Sequence, residues 1–166
     1  MSWGIADYLA RDVSVRVGSL STALLVQLIG LIVPVPFLVL ESVSGGFEID
    51  WPLLIVAAPL SAGFLGFAYL AYYTGLQRGP VSLVSSAASA WLAVTVLIAI
   101  VFFGETVTVT WAILLAAVFV GILMLSAQPS GDGIRGSGLP WGLGAMVGLG
   151  VALAMFDRVT AAAGAM

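Results

Sequence analysis

The chain has 166 residues, of which 61% are hydrophobic and 8% charged, against roughly half and a quarter in ordinary soluble domains. Its formal charge is −3, it has no cysteine or histidine, and all five basic residues are arginine. That composition excludes disulfides, thiolate chemistry and the usual soft metal sites. No cofactor, metal or nucleic-acid partner is expected.

Uncharged stretches cover residues 17–40, 51–77, 79–104, 106–131 and 136–156, and the charges fall between them. Each exceeds the about 20 apolar helical residues that cross a bilayer. In lipid an isolated backbone has no other hydrogen-bond partner, so helix is the predicted structure of all five. Residues 1–10 lack a basic start and already hold Asp7, which does not fit a cleavable signal.

In chain order, a short first helix is predicted at about 2–17, where Asp7 and Arg11, and Asp12 and Arg16, are spaced to pair along one face. The second helix spans about 19–40, with Pro34 and Pro36 near its end. An acidic loop, 41–50, leads to a third helix at about 52–74, with Pro52 in its first turn and Pro59 inside it. Gly75, Gly79 and Pro80 predict a compact turn. A fourth helix, about 81–103, contains no proline and is expected to run unbroken. A fifth, about 108–127, follows threonines suited to capping. A Gly/Ser linker, 129–138, precedes a sixth helix that opens at Pro140 and reaches about Arg158.

The two ends of the chain resemble each other. At an offset of 146, Gly4 pairs with Gly150, Ile5 with Val151, Ala6 with Ala152, Val13 with Val159 and Gly18 with Gly164. Five helices per unit is an odd number, so a second unit would enter the membrane upside down, the inverted-repeat design of secondary transporters.

The run from Ala71 to Ser82 (AYYTGLQRGPVS), with Thr95-Val96-Leu97, Phe103-Gly104-Glu105, Trp111 and Gly121, resembles the EamA domain of the drug/metabolite transporter superfamily. Trp3-Gly4 and Phe156-Asp157-Arg158 resemble the openings of that family's two repeats. The resemblance implies an all-α polytopic transmembrane bundle: a first repeat at 1–128, the linker, and the start of a truncated second repeat at 139–166. It further implies a multi-pass cell-membrane transporter of small metabolites or drugs, not an enzyme. Two inverted repeats would alternate access around a central cavity, with the fifth helix peripheral. Expected partners are the lipid bilayer, an unidentified small molecule, and a second copy or second repeat that completes the site. Two other readings stay open: a non-transporting membrane fragment or scaffold, and a half-transporter that works only as a homo-oligomer. Where the family often has Ser-Pro at the start of the fourth helix, this chain has Ser85-Ser86.

Candidate cavity residues are Gln27, Tyr69, Ser85, Ser89, Trp91 and Thr95, as polar or aromatic groups at membrane depth beside small residues. Tyr72 and Tyr73 are read more simply as an interfacial aromatic belt. Gly144 and Gly148 form a Gly-x-x-x-Gly pair suited to close helix contact. Glu105 is read as a structural cap at a helix start, where a carboxylate complements the dipole. The arginines follow the first, third and fifth helices, which by charge would face the cytoplasm. The family's usual topology gives the reverse.

Overall fold

The structure, a computed structural model, describes residues 2–33, 51–104, 108–126 and 138–162, with Pro36, Val39 and Thr106. Pro34, the 41–50 loop, Glu105 and residues 129–137 of the linker, each given a role above, lie outside the described residues.

The described chain is all helical: α1 Ser2–Val17, α2 Ser19–Ile32, α3 Trp51–Arg78, α4 Val81–Ser89, α5 Trp91–Phe103, α6 Val109–Ser126 and α7 Leu139–Ala162. Taken as one span, α4 and α5 cover Val81–Phe103. With Trp51–Arg78 and Leu139–Thr160, this gives three helices long and apolar enough to cross a membrane among the described residues. The protein is a helical membrane bundle.

Burial confirms the solvent. The core is made mostly of small residues, among them Ala68, Ala71, Ala87, Ala145 and Ala152, while Leu28, Ile55, Val101, Phe102 and Ile113 point outward. A soluble domain does the reverse. In lipid, apolar side chains gain little by leaving the solvent, so close backbone approach through small residues carries the packing. The outermost helix is α6, whose described side chains are nearly all exposed.

Contacts fix the directions of the helices. Asp7 meets Tyr72 and Arg11 meets Leu76, so α1 and α3 run parallel. Along α7, Trp141 lies beside Gly75, Gly144 beside Ala71 and Gly148 beside Ala68, and Ala152 accepts a hydrogen bond from Ser61. The numbers rise on one helix as they fall on the other, so α7 is antiparallel to α3 and therefore to α1. Gly142 beside Ala87 and Gly150 beside Val94 place α7 parallel to α4 and α5.

Three local outcomes differ from the sequence expectations. α3 continues a full turn beyond residue 74, to Arg78: the i→i−4 ladder runs on until Gly79 N–H reaches Gly75 O at 2.9 Å. Asp7 does not pair with Arg11. Asp7 takes the Tyr72 hydroxyl instead, and Arg11 Nε donates to Leu76 O at 3.2 Å, one of the last four carbonyls of α3 that the helix itself leaves without a donor. The Asp12–Arg16 pair does form, at 3.0 Å on the exposed side.

The fourth span is broken at Ala90 even though it holds no proline. In an unbroken helix the Ala90 N–H would donate to Ser86 O. Here the Ser89 hydroxyl takes that carbonyl at 2.9 Å. The Ala90 N–H shifts to Ala87 O at 3.3 Å, and Ala93 N–H bonds Ala90 O at 3.0 Å. These i→i−3 bonds tighten the turn, and a serine hydroxyl that competes for a helix carbonyl is a recognised cause of bending.

At the start of α7, Gly138 has φ +71°, and a Cβ there would lie 2.7 Å from Gly75 O and 2.9 Å from Val84 Cγ2. Only glycine suits both the left-handed backbone and the space. Its carbonyl accepts the N–H groups of Trp141 and Gly142, each at 3.1 Å, which starts the helix. Val84, fully buried, thus fills a socket between Gly75, Gly138 and Gly142.

Candidate functional site

A cavity of about 550 Å³ lies among α1, α3, α4, α5 and α7, within the size range of small-molecule sites. From α3 it is lined by Leu65, Ala68, Tyr69 and Tyr72, which recur at helical spacing on one face. Ser85, Ala88 and Ser89 come from α4, and Trp91 from the first turn of α5 just past the break. Leu149 and Leu153 close it from α7, and Asp7 enters from α1.

The polar groups are connected. Tyr72 Oη donates to Asp7 Oδ1 at 2.7 Å and lies 2.8 Å from Ser85 Oγ. Tyr69 stacks on Tyr73, with centroids 6.0 Å apart, and Tyr73 meets Tyr72 at 5.7 Å. Tyr73 is itself buried with Ala23, Leu76 and Val84. Tyr72 and Tyr73 are therefore inward-facing residues, one a network member and one core, and the aromatic-belt reading of them is corrected. An amphipathic phenol suits an interface, but these two hydroxyl-bearing rings sit where α1 and α4 close over α3.

Of the sequence candidates, Tyr69, Ser85, Ser89 and Trp91 are gathered around this one cavity. Gln27 is placed elsewhere: its Nε2 lies 3.7 Å from where a Cβ on Gly66 would be, at the contact of α2 with α3. Thr95 lies at the α5–α7 contact, where its hydroxyl reaches Gly150 O at 3.0 Å and Trp91 O at 3.3 Å. Gly144 and Gly148 both face α3, against Ala71 and Ala68. Ser82 and Ser86, on the same serine stripe of α4, do not line the cavity.

Two polar cavity residues were not found by sequence reasoning. Asp7 was assigned to Arg11 by spacing, and Tyr72 to the interface. The available signal was that Tyr69 and Tyr72 share a face, so a cavity at one implies proximity to the other. Nothing local pointed to Asp7. Asp7 is the one carboxylate in the wall, and no group of three metal-ligating side chains forms among the described residues.

Residues 1–127 match the EamA-like transporter family. Neither a curated protein nor a solved structure is detectably similar to the chain.

Proposed function

Because the chain belongs to the EamA-like transporter family, we propose that it carries small metabolites or drugs across a cell membrane as a multi-pass protein, with the cavity at Asp7, Tyr69, Tyr72, Ser85, Ser89 and Trp91 as its substrate site. One observation carries this reading: the Asp7–Tyr72–Ser85 chain opens into a mostly apolar cavity beside a helix broken at Ala90. Broken helices at a polar site are where transporters of this general design bind and release their cargo. The break also supplies a joint about which Trp91 and Ser89 can move relative to α7.

The mechanism proposed is alternating access between two inverted five-helix units. Support comes from the antiparallel directions of α1 and α7, the two helices whose sequences correspond at an offset of 146. The second unit is a further repeat or a second copy of the chain. Chemical cross-linking in membranes distinguishes them: a cross-linked dimer supports the homo-oligomer.

The test is metabolite profiling of cells expressing the protein or its Tyr69→Ala/Ser89→Ala/Trp91→Ala variant. The expected result is at least one small metabolite displaced between cells and medium by the wild type and not by the variant, at equal membrane insertion. Identical profiles would favour the non-transporting scaffold.

A further inference from the structure

The cavity wall carries one formal negative charge and no described cation. Each described arginine is engaged elsewhere. Arg11 Nε donates to Leu76 O, Arg16 pairs with Asp12, Arg78 lies over the Trp141 ring at 4.7 Å, and Arg158 over the Phe103 ring at 3.8 Å. Among the described residues, Asp7 is left with hydroxyl chemistry alone.

That chemistry has a direction. A phenol has one proton, and Tyr72 gives it to Asp7 Oδ1. The Ser85 hydroxyl, 2.8 Å from Tyr72 Oη, must then donate to the phenol oxygen. Both hydroxyl protons point along the chain toward the carboxylate, which holds Asp7 as an acceptor. Its second oxygen, Oδ2, has no hydrogen-bond donor among the described residues.

Apart from Ser89, the rest of the wall is apolar or aromatic: Leu65, Ala68, Ala88, Leu149 and Leu153, with the rings of Tyr69 and Trp91. A carboxylate in such surroundings is stabilised most by a positive charge that comes with the ligand. Aromatic faces beside it add cation–π attraction and accept an apolar body equally well. An anion would meet Asp7 with no cation in the described wall to offset the repulsion.

Resting on the reading of this cavity as the substrate site, we propose that it takes organic monocations, amines or quaternary ammonium groups carrying an apolar or aromatic body. Asp7 is the counter-ion, Tyr72 and Ser85 position its carboxylate, and Tyr69 and Trp91 provide the surface for the body.

Three probes with one benzyl body separate charge from shape: benzyltrimethylammonium, neutral benzyl methyl sulfone and anionic phenylmethanesulfonate. Calorimetric titration of the full chain in a non-ionic detergent should show the cation binding at least tenfold more tightly than the sulfone, and the sulfonate most weakly. Asp7→Asn should bring the cation down to the level of the sulfone, and Asp7→Glu should keep the preference. Helix content by circular dichroism accompanies each variant. If Asp7→Asn does not fold, Trp91→Leu, which keeps the charge and removes a ring, should cost the cation severalfold more affinity than the sulfone. Equal binding of the three probes, no binding of any, a preference that survives Asp7→Asn, or equal losses in Trp91→Leu would each overturn the proposal. Flux of the same probes in vesicles is scored separately. A cation preference without flux of any substrate keeps this site and removes the transport reading, whereas flux of a neutral or anionic solute without cation preference does the opposite.

Discussion

Gly150 of α7 lies so close to Val94 of α5 that a Cβ at Gly150 would stand 2.4 Å from Val94 Cβ and 2.9 Å from Trp91 O. The contact lies at the first turn after the break in the fourth span, so the absence of a side chain at 150 is what lets the two helix backbones meet there. A graded series follows. Gly150→Ala should destabilise the bundle by about 1–3 kcal/mol, the range for overpacking. Gly148→Ala, whose Cβ would lie 2.9 Å from Ala68 Cβ and 3.1 Å from Ala68 Cα, should cost somewhat less, because the approach is less close. Gly144→Ala, with 3.7 Å to Ala71 Cβ, should be tolerated. Thermal unfolding in detergent checks the order 150, 148, 144; a reversed order would contradict the packing of α7.

Thr95 shares the Gly150 contact through its hydroxyl. Thr95→Val keeps the shape and removes the bond, and should cost about 0.6 kcal/mol, at most about 1.7, the span measured for interhelical hydrogen bonds in membranes. Affinity for cavity ligands should stay unchanged, since Thr95 is not in the wall. A loss of ligand affinity at unchanged stability would return Thr95 to the site.

At the break at Ala90 the Ser89 hydroxyl occupies Ser86 O. Removing it in Ser89→Ala frees Ser86 O for the Ala90 N–H, and the helix should close into regular i→i−4 bonding. Amide hydrogen exchange at Ala90 should slow by at least severalfold. An amide that exchanges at the wild-type rate would show that packing against α7, not the serine, holds the break.

Helix direction can be read without background because the chain has no cysteine. The Cβ separation of 3.7 Å between Ala71 and a side chain at Gly144 falls in the range that a disulfide bridges. Ala71→Cys/Gly144→Cys should therefore oxidise to an intramolecular bond in membranes. Ala57→Cys/Gly144→Cys should not, as residue 57 is 14 positions away along α3, about 21 Å at 1.5 Å per residue. The opposite result would reverse α7.

The helices, the membrane and the family were legible in the sequence because they depend on composition and local order. Long uncharged stretches must be helical in lipid whatever they pack against, and the AYYTGLQRGPVS run is continuous in the chain. Four of the cavity's lining residues, Tyr69, Ser85, Ser89 and Trp91, were also legible, since a polar or aromatic group at membrane depth needs an inner face. The tertiary structure decided the rest. Asp7 has an arginine four residues away, and spacing alone favours that pair. Only the parallel packing of α1 on α3 brings it to Tyr72, 65 positions away, and sends Arg11 to a bare helix end. The break at Ala90 was invisible because no breaker marks it: a serine hydroxyl and a neighbouring carbonyl compete within a sequence that reads as regular helix. Gly150, noted only as one partner in the offset between the two ends, is seen as a contact point once α7 lies against α5. Local sequence thus determined which segments are helices and some of the residues that face inward, and tertiary contact added Asp7, Tyr72 and Tyr73 and determined which inward residues meet.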